Sequence, residues 1–146
     1  MEIKEQIEIA VPSKIIDQIW SEVDQWHKWD PDTKKAYING PFTVGTYGKL
    51  TPTKGMGVSM AITERTVGKS FTVEGGVPFF RMHFEHTLSP SENGVLVTHH
   101  VWFSGALSFL FGPGVAKQVR NGLPKTMLSL KAYAEARHNN LSTQKA

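Results

Sequence analysis

Polar and apolar residues alternate from the first positions of the chain. Ile3, Ile7, Ile9 and Val11 stand against Glu2, Lys4, Gln6 and Glu8, with Glu5 falling on the apolar parity. A period of two predicts a half-buried strand over 2–11, closed by Pro12. The spacing then lengthens. Ile15, Ile16, Ile19 and Trp20 make one stripe of a short helix opened at Pro12-Ser13. The segment VDQWHKWDP (23–31) reads as a compact aromatic turn, in which Pro31 stops any helix before it. From 33 to 104 the period returns to two, which predicts strands near 33–39, 44–52, 57–66, 69–75, 79–88 and 95–104. Turn residues separate them, at Asn39-Gly40-Pro41, Pro52–Gly55, Val67-Gly68-Lys69, Gly75–Pro78 and Ser89–Gly94. Short strands joined in this way form an antiparallel meander.

Past Ser104-Gly105 the period becomes helical. A short apolar turn (Leu107, Phe109, Leu110, Phe111) meets Gly112-Pro113-Gly114, which predicts a break there. A longer helix is expected over Val115–Arg137, with the stripe Val115, Val119, Leu123, Met127, Leu130 and Ala134 and a bend at Pro124. The tail 139–146 is polar and reads as a frayed end, which leaves one domain over 1–138. One sheet with an apolar face and one long helix to cover it make an α+β fold. A strongly curved seven-stranded sheet cannot be filled by one helix, so an internal apolar cavity is expected.

Composition narrows the function classes. The 146 residues suit a single domain and include no cysteine, which removes disulfides, thiolate zinc sites and cysteine nucleophiles and points to a reducing compartment. The net charge of +3 comes without a basic run, so nucleic acid is excluded as a partner. No apolar stretch approaches a membrane span, and MEIKEQIEIAV lacks the apolar core of a signal peptide. The expectation is a cytoplasmic protein without stable membrane insertion, a monomer or a homodimer.

Several segments together carry a family resemblance. They are the opening strand with PSKIIDQIW, then DQWHKWDP, NGPFTVGTYGKL, ITERTVGKSFTVEG, FRMHFEHTLSPSENGVLVTHHVWFSG and GLPKTMLSLKAYAEA, in order over about residues 3–137. The chain resembles the polyketide cyclase/dehydrase and lipid transport branch of the START-like superfamily (SRPBCC). The resemblance implies the helix-grip fold of birch-pollen-allergen-type proteins, a curved seven-stranded antiparallel sheet wrapped around a long C-terminal helix. It also implies a cavity. It brings no catalytic motif, since members include carriers, cyclases and aromatases.

The last two strands hold the candidate chemistry. Phe80, Met82, Phe84, His86 and Leu88 share one parity, as do Val95, Val97, His99, Val101 and Phe103. Both sets must face the helix, which takes His86 and His99 inward, either directly opposite or diagonal to each other. The structural reading has each imidazole satisfied by a neighbouring hydroxyl or a buried water. The functional reading has them orient a carbonyl or hydroxyl of a hydrophobic ligand (polyketide, aromatic or lipid-like). Trp29, Met60, Phe71, Phe84, Val101, Phe103 and Met127 divide between core and cavity lining. No catalytic residue is assigned and no cofactor is expected. The alternatives are a cyclase or dehydratase using the same cavity, and a protein-interaction domain with a filled core. His83 and His86 point to opposite faces, as do His99 and His100, so neither pair chelates one ion and no metal site is expected. On the outer face, Arg81 and Trp102 are expected to stack. Glu64 is expected at a solvated strand end or pointing inward.

Overall fold

The computed structural model describes residues 2–145, with side chains to Thr143. The element order is β1 (Glu2–Ile9), α1 (Ser13–Ser21), a short 3-10 helix (Val23–Lys28), β2 (Thr33–Ile38), β3 (Tyr47–Pro52), β4 (Val58–Thr66), β5 (Ser70–Val77), β6 (Phe80–Ser91), β7 (Gly94–Ser104) and α2 (Ser108–Lys145). Among the described residues the strands form one seven-stranded antiparallel sheet in the order β1-β7-β6-β5-β4-β3-β2. The meander runs from β2 to β7, and β1 closes the far side by pairing with β7, Ile3 opposite Val101 and Ile9 opposite Val95.

The alternation of β1 does what the pattern requires: Ile3 and Ile9 are buried while Glu2, Lys4 and Glu8 are exposed. On α1 the stripe Ile15, Ile16, Ile19 and Trp20 is buried against the sheet. The aromatic turn is a single stretch of 3-10 helix. The Trp26 indole donates to the Trp20 carbonyl at 2.9 Å, which ties that stretch to α1. A bidentate ion pair fixes α1 to β4, Arg65 to Asp17 at 2.5 and 2.9 Å, and the guanidinium lies 4.7 Å over the Phe42 ring.

Two features of the helix differ from the sequence-based expectation. It starts at Ser108 instead of Val115, and it continues past Arg137 to Lys145. Gly112-Pro113-Gly114 does not break it. Pro113 forfeits one backbone bond close to the helix start, and the stripe of buried Gly112, Ala116 and Leu123 continues in register across it. Residues 108–111 of the short apolar segment are therefore the first turn of α2, and Phe109, Leu110 and Phe111 are exposed.

Burial falls into two clusters. The larger joins α1, the 3-10 helix, the sheet and the second half of α2 through Trp20, Trp26, Trp29, Phe71, Val97, Met127 and Leu130. The smaller lies under the first half of α2, where Ile3, Val101, Ala116 and Leu123 are buried and Phe84, Phe103 and Val119 only partly so. Partly buried side chains also flank the larger cluster, among them Ile38, Phe42 and Leu50.

Candidate functional site

Inward positions of β6 and β7 make a ladder that links the two clusters. Met82 pairs with Phe103, Phe84 with Val101, His86 with His99 and Leu88 with Val97. Of the arrangements open to the sequence, the directly opposite one holds, because the hairpin closes through Glu92-Asn93 with Ser91 paired to Gly94. The imidazole centroids are 4.4 Å apart, edge to face.

Both rings are buried among aromatics. His86 stacks on Phe71 at 4.0 Å and 5°, and Trp20 sits edge-on to it at 5.6 Å. Trp20 and Trp29 flank His99 at 6.3 and 6.5 Å. Burial pushes the His86 pKa down to about 3, against main-chain hydrogen bonds at Phe71 and Phe84 that favour the charged form. Burial also holds His99 well below the ordinary imidazole range, and His86 adds to the effect. Both are neutral at pH 7. The Phe71 carbonyl, 3.3 Å from His86 Nδ1, can only accept, so Nδ1 carries the proton and Nε2 a lone pair. His99 Nε2, Trp20 Nε1 and Trp29 Nε1 are buried without a hydrogen-bond partner among the described residues. Three unpartnered ring nitrogens thus belong to one aromatic group centred on His99.

The predicted lining residues separate along the ladder. Trp29, Met60, Phe71 and Met127 lie in the larger cluster with the histidines at its edge. Val101, Phe84 and Phe103 belong to the smaller one. Two open depressions lie away from the histidine pair. One of about 590 Å³ is lined by Glu2, Glu85, His100, Trp102 and Phe103, and one of about 310 Å³ by Ala10, Val11, Pro12, Asn93, Gly94 and His138.

Two residues gain importance from the structure. Glu5 pairs directly with His99 across β1 and β7 and is half-buried. Its signal in the sequence is the single carboxylate on the apolar parity of β1. Asp30, at the end of the aromatic turn, accepts from Thr33 Oγ1 at 2.8 Å, the Asp32 N–H at 3.0 Å and Thr126 Oγ1 at 3.1 Å. Burial raises its pKa, and those three bonds only partly offset the effect. Thr126 and Asp30 are far apart in sequence, and no local pattern announces that bond.

The outer face corrects one expectation. Trp102 stacks on His83 at 5.1 Å and 3°, its direct cross-strand partner, not on Arg81. Arg81 is two pairs further along, opposite Ser104, and its Nε donates to Glu74 at 2.9 Å. His100 Nε2 bonds Glu2 at 2.8 Å, and Trp102 separates His100 from His83. A register shift between Ile62 and Glu64 takes Glu64 out of the simple alternation, and its carboxylate accepts from Thr66 and Ser70. Among the described residues no group of three or more His, Cys, Asp or Glu is placed to hold a metal ion.

Comparison with solved structures finds the same architecture at low identity. Ara h 8.0201 superposes with a TM-score of 0.74 at 15% identity, over 93% of this chain and 98% of that one. The hypothetical protein jhp0584 from Helicobacter pylori gives 0.76 at 13% identity, over 92% and 88%. The di-domain ARO/CYC StfQ from the steffimycin biosynthetic pathway gives 0.74 at 13% identity, over 93% of this chain and 51% of that longer one. These likenesses fix the fold as a helix-grip. No curated protein matches the sequence. The family model for polyketide cyclase / dehydrase and lipid transport matches residues 1–135, and it is to this family that the chain belongs.

Proposed function

We propose that the protein binds a hydrophobic small molecule carrying a carbonyl or hydroxyl oxygen, that His99 bonds that oxygen, and that the His86 Nε2 lone pair accepts from it where it is a hydroxyl. Family and fold support a hydrophobic ligand-binding or polyketide cyclase role. The observation that carries the finer reading is the set of three buried, unpartnered nitrogens at His99, Trp20 and Trp29. A buried polar atom without a partner costs about 1–3 kcal/mol, and a ligand oxygen would recover part of it. The apolar body of the ligand would lie along the half-buried side chains Met82, Phe84, Phe103 and Val119, next along the ladder from the histidines. Apolar burial supplies affinity and the imidazoles supply orientation. The proposed setting is the cytoplasm, for a monomer or homodimer.

The electrostatics favour holding over proton transfer. An imidazole with a pKa near 3 stays neutral at pH 7 but is a feeble base there. A second reading, a cyclase or dehydratase, rests on Glu5, the carboxylate in register with His99. It would require Glu5→Gln to abolish turnover while leaving affinity intact.

Titration of tryptophan fluorescence with hydroxylated polycyclic aromatics and their parent hydrocarbons tests the binding reading, because Trp20 and Trp29 border the site. His99→Leu should weaken the hydroxylated compounds about tenfold, the worth of one hydrogen bond, and leave the hydrocarbons unchanged. Equal losses for both series, or no saturable quenching at all, would overturn it.

A further inference from the structure

Apolar side chains from three segments lie at one end of the sheet. The β5–β6 turn (77–79), the β7–α2 junction and the β3–β4 connection all lie there, as the pairings of Ser59 with Gly76, Val77 with Phe80 and Arg81 with Ser104 require. Met56 is 86% exposed, Phe109 76% and Phe79 66%, and Val77, Leu110 and Phe111 are exposed with them. Single exposed apolar residues are ordinary, but six at one end of the fold are not.

This end is built to hold them out. Phe79 is the one non-glycine residue at positive φ among the described residues, at 71°. Its carbonyl accepts from the Leu107 N–H at 2.9 Å. Gly105, at φ 102°, passes so close to that carbonyl that a Cβ would collide with it. The Phe80 and Phe111 rings meet at 6.0 Å. Turn and helix start are thus tied together, and the positive φ of Phe79 is the one a turn with Pro78 at its second position takes.

The charges beside the tip are of one sign along the helix. No Asp or Glu occurs from Asn93 to Ala134, and Lys117, Arg120 and Lys125 are exposed on α2. Leu110 and Lys117 are seven residues apart, so they share a face about 10 Å apart. Lys54 adds a cation from the β3–β4 connection. Of the carboxylates at this end, Glu2 is bonded to His100 and Glu74 to Arg81, while Asp32 stands exposed beside Thr53.

We propose that this end docks on an anionic lipid bilayer surface. Phe79, Phe109, Leu110 and Phe111 enter the boundary between headgroups and acyl chains, and Lys54, Lys117 and Arg120 face the phosphates. The contact is peripheral: among the described residues no helix is long and apolar enough to cross a membrane. The inference stands on surface residues alone and does not depend on the ligand reading.

The test is co-flotation of the full chain with vesicles of phosphatidylcholine alone and of phosphatidylcholine mixed with phosphatidylglycerol. The expected result is binding to the mixed vesicles that weakens with salt, with little binding to the neutral ones. Phe109→Ser with Leu110→Ser should reduce partitioning at least about tenfold, and Lys117→Glu at least about fivefold. Both variants change exposed residues, and thermal melts unchanged from the parent confirm that they fold. Absence of flotation with the mixed vesicles, or equal flotation of parent and double variant, would overturn the proposal. So would a dimer in sedimentation velocity that the double variant dissociates while vesicles stay unbound, since the tip would then serve a second copy of the chain.

Discussion

His86 and His99 carry a free-energy signature that a titration of stability can read. In the unfolded chain each titrates near about 6.5, and in the folded chain burial lowers both, His86 to about 3. Protons therefore bind the unfolded state more readily below about pH 6.5, and stability that is complete above that value falls as pH drops toward 3. Each histidine contributes at most about 1.4 kcal/mol per pH unit in that window. Asp30 acts with the opposite sign, because its raised pKa means that acidification relieves a buried charge. A comparison of variants isolates the histidines. The urea midpoint of the parent should fall between pH 7.5 and pH 5 (about 1.5 units of which lie below the unfolded pKa) more steeply than that of His86→Leu/His99→Leu. Equal slopes would mean that the imidazoles are not desolvated. The inward direction of both residues was legible from parity alone. Their unpartnered nitrogens were not, because those depend on where Trp20 and Trp29 come to rest, and period two says nothing about rings delivered from another element.

At the scale of elements, the curvature of the sheet is held by ties between segments far apart in sequence. The Asp17–Arg65 pair is the most buried ion pair among the described residues, with side chains only 12% and 9% exposed. Asp17→Ala leaves a guanidinium buried without its partner and should cost about 3–5 kcal/mol in chemical denaturation. Asp17→Leu with Arg65→Met should recover most of that loss, since both charges then leave together. Strictly additive losses would contradict the coupling. The strands were legible because alternation and turn residues are local signals, and each expected strand occurs with its ends shifted by a few residues. The start of α2 was not legible. Gly112, Pro113 and Gly114 read locally as a break, and only the packing of Ala116 and Leu123 against Ile3 and Val101 shows why the helix passes through them. The partner of Trp102 was missed for a similar reason, since parity gives the face of the sheet while register decides which neighbour is met.

The whole molecule is an aromatic-rich core with a smaller apolar cluster beside it. Trp20, Phe71, Trp26 and Trp29 fill the space between α1, the 3-10 helix and the sheet. Under the first half of α2, Phe84, Phe103 and Val119 stay half-exposed, and the exposed apolar tip lies at that same end of the helix. Sheet, helix and family were readable from the chain because they rest on pattern. The partition of the interior was not, because it is set by how one helix lies across seven strands. The central claim is that this interior holds an apolar molecule by its oxygen. Native mass spectrometry of the full chain purified from its own host tests that most directly. A population heavier than the bare chain is expected, one that releases an apolar compound bearing a carbonyl or hydroxyl and that is depleted in His99→Leu. The bare mass alone, from a preparation that also fails to take up any hydroxylated aromatic or fatty acid offered to it, would contradict it.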